Sequence, residues 1–317
     1  MSARSTDTSP ISLPSQASPG TPLSHPAFEM HSAIVIHKET LEIDLQKIKF
    51  GIFDFDRTIL NVEPAHIESI RATGECGLLP PSLSCFTDTI NPRFLGECFN
   101  VPEATSFGKI IGIIADHCEN GGELDKFELS VLRGIDPAYL VAIRAEFFES
   151  LTTGPRFKTE LSIPDGHTLS IIERLNEGGC GVSICTGSGS RVVTACLKAY
   201  NIQDKFSLKA SVFANELPAE RGKPNADPYE LSLTKLCIKG EERAKVIAFE
   251  DSVSGALSAY RAGLSVILRP SDDYDATLRK LSILLKDFEP PRFGSHTPTI
   301  HVVRTFEQVN VVNSGAE

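Results

Sequence analysis

From about Leu41 onward, apolar runs of strand length alternate with amphipathic segments of helix length. This alternation is typical of a parallel β-sheet that carries helices on its faces. It predicts five strands, at residues 48–54, 181–186, 207–213, 245–249 and 265–268. We therefore expect an α/β protein with a Rossmann-like, three-layer core built on a parallel sheet.

Two of the predicted helices have recognisable ends. The segment 167–177 carries apolar side chains on one face, and Gly178 and Gly179 follow it. Glycine adopts the left-handed turn that closes many helices, so this helix should end there. Another helix should open at Asp227, with Asp227 as N-cap, a proline in the first turn and Glu230 reaching back to the cap.

The spacing between the first two predicted strands indicates an insertion. Asp54 and Gly181 are 127 positions apart, whereas a strand-helix-strand crossover needs about 30 residues. The intervening pattern predicts helices at 64–74, 102–117, 123–132 and 137–151. A helical module at this point would lie above the carboxyl ends of the strands, where open α/β sheets bind ligands. We predict an α-helical cap domain at 63–161, on a core of 41–62 and 162–317.

The two ends of the chain carry weaker patterns. Residues 1–26 hold seven Ser, three Thr, five Pro and one Gly, a composition that cannot offset the entropy of ordering. We therefore expect residues 1–40 to form a disordered tail. A mitochondrial presequence is disfavoured because Arg4 is the only Arg or Lys within residues 1–26. Near the other end we predict a helix at 273–285, an edge strand at 299–303 and a frayed terminus.

Composition narrows the class of protein. The 31 Lys and Arg against 41 Asp and Glu give a net charge of −10, the wrong sign for holding nucleic acid or an anionic membrane by bulk charge. None of the eight cysteines stands in a Cys-x-x-Cys pair, so we expect reduced, packed thiols. The longest apolar runs are far shorter than the roughly 18 residues that cross a bilayer. We predict a cytoplasmic protein with neither nucleic acid nor membrane as partner.

Two carboxylates stand at the end of the first predicted strand. Asp54 and Asp56 should share one side of it, because side chains alternate along a strand. Like charges this close are costly unless a positive group holds them, and Mg²⁺ takes one or two carboxylates together with phosphate oxygens. On spacing alone, a capping aspartate pair where a strand meets a turn is the commoner interpretation.

The second predicted strand ends in Thr186, Gly187 and Ser188, ahead of a helix that should begin near Ser190. A hydroxyl, exposed amides and a helix N-terminus together form an anion site. A plain N-cap by Thr or Ser is the alternative.

A lysine and a second pair of acids complete the pattern. Lys223 lies in a stiff loop ahead of the helix at Asp227, although most loop lysines are merely solvated. The fourth predicted strand closes with Glu250 and Asp251. Each feature has an ordinary structural explanation, but four in order at one end of one sheet favour a functional site.

These four signatures resemble the motifs of the haloacid dehalogenase superfamily of aspartate-nucleophile phosphotransferases, over roughly residues 47–268. The first motif matches Asp54, Asp56 and Thr58, the second Thr186, the third Lys223 and the fourth Glu250 with Asp251.

Two further runs are similar to the β-phosphoglucomutase-like members, which carry helical caps between the first two motifs. One spans residues 63–66 and ends in His66, and the other spans residues 223–228. Two positions depart from the family pattern. Arg57 stands where glycine is usual, which changes the loop and can add a positive group near the pocket, and Asn61 stands where aspartate is usual.

The resemblance implies a phosphatase that acts on a small phosphorylated metabolite. Asp54 would be the nucleophile and Asp56 the general acid and base. The resemblance further implies that Lys223 and Thr186 neutralise the phosphoryl group, and that His66, Gly187 and Ser188 contact the substrate. The cofactor would be Mg²⁺, held by the Asp54 side chain, the Asp56 carbonyl and Asp251, with Glu250 as a ligand directly or through water.

Two alternative functions stay open. A sugar phosphomutase of the β-phosphoglucomutase type would use the same motifs, with His66 helping to gate the choice of acceptor. A regulatory or binding module on the same fold is the other. Dehalogenation is disfavoured, because such enzymes need neither the acid at Asp56 nor the metal pair at 250 and 251.

Overall fold

The computed structural model describes residues 30–75, isolated positions from 108 to 119, and residues 126–271, 273–286, 288 and 292–315. Its strands are β1 (Ile34–Ile36), β2 (Leu41–Asp44), β3 (Phe50–Phe53), β4 (Leu60–Asn61), β5 (Ile163–Pro164), β6 (Gly181–Ile184), β7 (Val246–Glu250), β8 (Ser265–Leu268), β9 (Ile300–Val302) and β10 (Val309–Val312). Six of them form one sheet in the order β1-β9-β8-β7-β3-β6, and each neighbouring pair is parallel. The predicted α/β fold with a parallel sheet is confirmed.

The described residues also form eight α-helices. They are α1 (Glu63–Glu75), α2 (Lys126–Arg133), α3 (Pro137–Thr153), α4 (Gly166–Glu177), α5 (Ser190–Ala199), α6 (Asp227–Lys235), α7 (Val253–Arg261) and α8 (Tyr274–Leu285). No helix in this part of the chain is both long and apolar enough to cross a membrane.

The core consists of two apolar layers, one on each face of the sheet. Successive strand side chains point to opposite faces, so Ile52 and Phe53 of β3 belong to different clusters. The Phe53 ring stacks on Phe249 of β7 at 4.1 Å between centroids, in the cluster that α4 and α5 cover. Helices α6, α7 and α8 supply the opposite cluster. This arrangement confirms the predicted three layers.

One predicted strand is wrong. Within residues 207–213, only Val212 forms an isolated bridge, to Cys185 beyond the end of β6. The segment bends between Ser207 and Ser211, because the Ala210 N–H donates to the Ser207 carbonyl. The Ser211 hydroxyl, rather than a backbone carbonyl, then accepts the N–H of Ile184 at 3.0 Å. A local turn therefore interrupts the ladder that the apolar pattern predicts.

Predictions for the chain ends are also wrong in part. The predicted tail runs to residue 40, but Ile34–Ile36 is a strand of the sheet. Strand β9 pairs with β8 on one side and β1 on the other, so it is internal rather than an edge. Near the carboxyl end, β10 pairs with β2 instead of fraying. These short strands acquire partners more than 250 positions away, which local sequence does not reveal; residues 1–29 lie outside the described part.

The two recognisable helix ends have different outcomes. Helix α4 does close as predicted, with Gly179 at a φ of 77°. Helix α6 begins at Asp227, but the preceding residue is the cap position and no side chain caps it. The Asp227 carboxylate instead accepts from Arg221 at 2.7 Å, and Glu230 accepts from Arg243 at 2.9 Å. Ion pairs have replaced the predicted capping box.

Helices are found where the cap is predicted. Helix α1 packs against α3, and a π-helical turn at Phe157–Leu161 leads back to the sheet. The outgoing and returning segments pair with each other as the antiparallel strands β4 and β5. Most of the predicted helix at 102–117 falls outside the described residues. The division into cap and core stays a prediction.

Candidate active site

Three acids meet at the carboxyl ends of β3 and β7. The register of these strands aligns Phe53 with Phe249, and the Asp54 N–H donates to the Phe249 carbonyl at 2.9 Å. Asp54 therefore lies beside Glu250, the last residue of β7, and Asp251. Each residue offers a carboxylate oxygen, and these oxygens all lie within 4.8 Å of one another.

Lys223 joins two of these acids. Its Nζ lies 2.7 Å from Asp54 Oδ1 and 2.6 Å from Glu250 Oε1. The buried hydroxyl of Tyr229 donates to the same Glu250 oxygen at 2.6 Å. Tyr229 belongs to the first turn of α6, which begins shortly after Lys223, so one short segment delivers both groups. The amino-acid pattern did not predict a role for Tyr229, because a lone tyrosine in a helix carries no distinctive signal.

Burial and mutual repulsion shape the ionisation of this group. Burial, with further repulsion from the Glu250 and Asp251 carboxylates, raises the pKa of Asp54 well above its ordinary value, although Lys223 opposes the rise. Burial and the Glu250 carboxylate raise the pKa of Asp251 to about 7. Burial acts to lower the pKa of Lys223, but attraction from Asp54 and Glu250 outweighs it, so the pKa is raised.

The donor set fits a divalent cation. Three carboxylates face one ammonium group, so two negative charges of the cluster stay unbalanced when all are ionised. Glu250 Oε2 is buried and has no hydrogen-bond partner among the described residues. Carboxylate oxygens are the ligands that Mg²⁺ prefers. A divalent ion here would remove the repulsion that raises the pKa of the acids.

Gly255 makes room for the Glu250 carboxylate. A Cβ added at Gly255 would lie 1.9 Å from Glu250 Oε2, far inside contact distance. Gly255 lies in the first turn of α7, whose N-cap is Ser252. The positive end of a helix favours a carboxylate, so α7 partly offsets the burial of this charge.

Asp56 lies in different surroundings from Asp54. Strand β3 ends at Phe53, and Asp56 forms an isolated bridge with Leu60. Its carboxylate is not in the group of three acids; Asp56 Oδ2 lies 2.9 Å from Nε2 of His66. The first-motif carboxylates therefore do not meet at one point, because the chain turns immediately after the strand.

His66 connects Asp56 to a buried arginine. Its Nδ1 hydrogen-bonds with Nη2 of Arg144 on α3, and the Arg144 Nε donates to the Ser69 hydroxyl at 3.2 Å. Burial lowers the pKa of His66; Asp56 opposes that effect and Arg144 adds to it. Arg144 was not among the predicted site residues, although an arginine inside the apolar stretch of α3 is an unusual feature.

The residues of the predicted anion site follow β6, but some of their amides already have hydrogen-bond partners. Thr186 is buried just beyond β6, and its hydroxyl accepts the N–H of Ser188 at 3.0 Å, while Gly187 is exposed. The N–H of Ser190, which opens α5, already donates to the Asn215 side chain at 3.0 Å. Thr186, Gly187 and Ser188 thus follow the strand next to β3, but two of the amides that an anion would use, those of Ser188 and Ser190, already donate to side chains.

The family model for haloacid dehalogenase-like hydrolases matches residues 48–263 of this chain. The chain belongs to this family of hydrolases. The match begins just before β3 and ends after α7, so it includes the strands and helices that carry the three acids and Lys223.

Relatives of known name agree with this assignment. YhcW of Bacillus subtilis (strain 168), provisionally named a phosphatase, is 25% identical over 243 residues, 74% of this chain and 93% of that protein. The phosphorylated carbohydrates phosphatase of Thermotoga maritima is 24% identical over 216 residues, 68% of this chain and 82% of that protein. The structure of CbbY from Rhodobacter sphaeroides, solved with xylulose-(1,5)bisphosphate, superposes with a TM-score of 0.58 at 15% sequence identity. The match covers 84% of this chain and 97% of the CbbY chain. This last likeness concerns the fold.

The two residues that depart from the family pattern, Arg57 and Asn61, both make defined hydrogen bonds. Arg57 has a φ of 56°, in the left-handed region that favours glycine. Its guanidinium lies 3.0 Å from Glu63 and donates to the Ser271 hydroxyl at 3.2 Å, and Ser271 donates to Asp251 at 2.7 Å. Asn61 accepts the N–H of Glu63 at 3.1 Å, at the start of α1. Arg57 thus supplies positive charge next to the acids, as the sequence suggested.

Proposed function

We propose that this hydrolase is a Mg²⁺-dependent phosphatase that cleaves a small phosphate monoester, a sugar phosphate or a related metabolite phosphate, through an aspartyl-phosphate on Asp54. The contact of Asp54 with Lys223, inside the group of three buried acids, is the observation that carries the proposal. The phosphatase names of the two sequence relatives support the substrate class.

The first step would transfer the phosphoryl group to Asp54. A carboxylate oxygen of Asp54 attacks phosphorus, the bond to the ester oxygen breaks, and Asp56 donates a proton to the departing alcohol. Lys223 neutralises negative charge next to the nucleophile, since its Nζ lies 2.7 Å from Asp54 Oδ1. Thr186 and the amide of Gly187, beyond the neighbouring strand β6, would hold the phosphoryl oxygens, and the Ser188 N–H would join them on leaving the Thr186 hydroxyl.

The second step would release phosphate. Asp56 takes a proton from water, the water oxygen attacks phosphorus, and the bond to Asp54 breaks. The products are the free alcohol and inorganic phosphate, and both aspartates return to their starting states. Mg²⁺ would be held by the Asp54 side chain, the Asp56 carbonyl and Asp251, with Glu250 directly or through water, and would neutralise the charge that develops on the phosphoryl oxygens.

The test is phosphate release from a panel of sugar phosphates and other small phosphate monoesters, with Mg²⁺ or with a chelator. We expect turnover of at least one panel member with Mg²⁺, none with the chelator, and none in Asp54→Asn. Asp204→Asn is the matched control, because Asp204 is exposed and lies outside the site. Equal turnover by wild type and Asp54→Asn would exclude Asp54 as nucleophile, whereas no turnover of any panel member by wild type would support the regulatory or binding module.

A sugar phosphomutase is the second candidate, and the contact of His66 with Asp56 favours it. In that reaction Asp56 would take its proton from a sugar hydroxyl rather than from water, and the phosphoryl group would return to the sugar. Following a sugar 1-phosphate by phosphorus NMR separates the two functions. A phosphatase yields free phosphate, whereas a mutase yields the isomeric sugar phosphate.

A further inference from the structure

A line of three polar side chains joins helix α3 to the predicted acid-base residue. Arg144 on α3 contacts Nδ1 of His66 on α1, and Nε2 of His66 lies 2.9 Å from Oδ2 of Asp56. Arg144 is 5% exposed and His66 is 8% exposed, so protein surrounds both groups. Asp56 itself is only half-buried.

The donors along this line can be assigned in only one way. A guanidinium has N–H groups and no acceptor, so Nδ1 of His66 must accept from Arg144. A neutral imidazole that accepts at one nitrogen carries its hydrogen on the other. Nε2–H of His66 therefore donates to Oδ2 of Asp56. The second carboxylate oxygen of Asp56 is left as the position for the proton that acid-base chemistry transfers.

Neighbouring groups hold both side chains in place. Ser69, one turn after His66 in α1, accepts from Arg144 Nε at 3.2 Å and donates to the His66 carbonyl at 2.8 Å. The Phe148 ring lies 4.6 Å from the His66 ring and 5.7 Å from the Arg144 guanidinium carbon. Burial lowers the pKa of Arg144 to about 10, which still leaves it charged at neutral pH.

We propose that Arg144 is a positioning residue: it fixes the hydrogen of His66 on Nε2, and through His66 it orients Asp56 for proton transfer. The consequence for catalysis rests on the proposed phosphatase function, whereas the hydrogen assignment does not. Arg144 and His66 belong to two helices of the predicted cap. The packing of these helices therefore sets the orientation of Asp56, two positions after the predicted nucleophile.

The hydrogen assignment is tested in the wild-type protein by NMR of ¹⁵N-labelled histidine, with His66→Gln to identify the signals. We expect the Nδ1 shift of a nitrogen without hydrogen and the Nε2 shift of a nitrogen with one. A hydrogen on Nδ1 of wild-type His66 would overturn the proposal. This measurement needs no substrate, no metal and no active enzyme.

The positioning role is tested by a double-mutant cycle in phosphate release. Arg144→Met should lower kcat about 10- to 100-fold, a part of the roughly 10²–10⁴-fold that acid-base groups contribute, with little change in KM or in Mg²⁺ affinity measured by calorimetry. In a His66→Ala background the same change should cost less than about twofold, because Arg144 acts through His66. Equal losses in both backgrounds would show a merely structural role for Arg144.

Two variants control for folding and chemistry. Arg243→Met removes another arginine that is largely buried, held by Glu230 and the Ala262 carbonyl away from the site, and should leave kcat unchanged. Arg144→Lys keeps a charged donor and should recover part of the loss. If Asp54→Asn is as active as wild type, the proposed function fails. The NMR experiment still decides which nitrogen of His66 carries the hydrogen, because it does not depend on activity.

Discussion

Asp54 and Asp56 are two positions apart in the chain, but different parts of the structure hold them. Asp54 follows β3 directly, and its backbone N–H is paired with β7. Asp56 lies beyond the strand, and its carboxylate hydrogen-bonds with His66 of helix α1. Backbone pairing therefore positions the predicted nucleophile, whereas side chains from helices position the predicted acid-base residue.

The fold therefore fixes the position of the predicted nucleophile, while the orientation of the predicted acid-base residue can vary. Backbone hydrogen bonds place Asp54 whatever the neighbouring side chains are, so its position belongs to the sheet. The orientation of Asp56 depends on His66, and through it on Arg144, so it responds to changes in α1 and α3. Substitutions near each aspartate should therefore affect different properties.

The largest effect is expected at Lys223. Lys223→Met removes the ammonium that joins Asp54 and Glu250, which leaves buried carboxylates without their partner. Breaking such a pair costs about 3–5 kcal/mol, and losing a charge-stabilising group should lower kcat about 10²–10³-fold. Urea unfolding and phosphate release measure the two effects.

Lys205→Met is the matched control for Lys223. Its ion pair with Glu173 is largely exposed, and such pairs contribute less than about 1 kcal/mol. The NMR signals of His66 should be the same in Lys223→Met as in wild type if the two aspartates are positioned independently. A shifted His66 signal would mean that the two regions are coupled.

The next effect is expected at Gly255. A methyl group there would lie 1.9 Å from Glu250 Oε2 and must displace that carboxylate, and Lys223 with it. Overpacking of this kind costs about 1–3 kcal/mol, so Gly255→Ala should lower the free energy of unfolding by that amount and lower kcat. Gly166→Ala at the start of α4 is the control, because nothing lies within 4 Å of the added carbon. Equal stability of the two variants would contradict the packing of Glu250 against α7.

The third expected effect is a dependence of stability on pH and on Mg²⁺. The pKa of Asp251 is about 7 in the folded protein, raised first by burial and then by Glu250, against about 4 for a free aspartate. A raised carboxyl pKa means that the folded state binds the proton more tightly than the unfolded chain. The metal-free protein therefore loses stability as pH rises from about 4 to about 7.

Mg²⁺ should reverse this loss, because the cation takes the place of the proton among the acids. We expect the rise in Tm caused by Mg²⁺ to be larger at pH 8 than at pH 5, measured by calorimetry against a chelator. Asp251→Asn should reduce that difference, while His66→Gln should leave it in place. A Tm shift that is independent of pH would count against a cation among these acids.

The smallest effect is expected at Arg57, which contacts both regions through Glu63 and Ser271. Arg57→Gly relieves a left-handed backbone that costs a non-glycine residue about 1 kcal/mol, but it loses the partly exposed ion pair with Glu63 and the hydrogen bond to Ser271, which are together of similar worth. Its net effect on stability should therefore be close to zero. Arg57→Ala loses the same contacts without relief, so it should be about 1 kcal/mol less stable than Arg57→Gly in urea unfolding. Equal stability would indicate that the backbone at this position is unstrained.

Part of the site could be predicted because it depends on local patterns. Strands β7 and β8 are short apolar runs, and acids or hydroxyls follow β3, β6 and β7 within two residues. In a parallel sheet the carboxyl ends of the strands meet at one edge, so residues far apart in the chain are expected together. Asp54, Lys223, Glu250 and Asp251 do lie together.

Other parts could not be predicted. Arg144 and Tyr229 are single polar residues in helices whose apolar pattern predicts only packing. Asp227 matches the sequence of a capping box, but its carboxylate forms an ion pair with Arg221 instead. Strand β1 has three residues inside a polar-looking end of the chain, and it becomes a strand because β9 supplies its hydrogen-bond partners.

The amino-acid order alone therefore determined the layered architecture and the edge at which its acids and lysine gather, because alternation of apolar side chains and the direction of parallel strands are local properties. Only the tertiary structure decided that Asp56 turns away from Asp54 toward His66, that Arg144 reaches His66, and that Gly255 admits the Glu250 carboxylate. Those contacts depend on the distances between helices and strands, which are set by packing across the whole core.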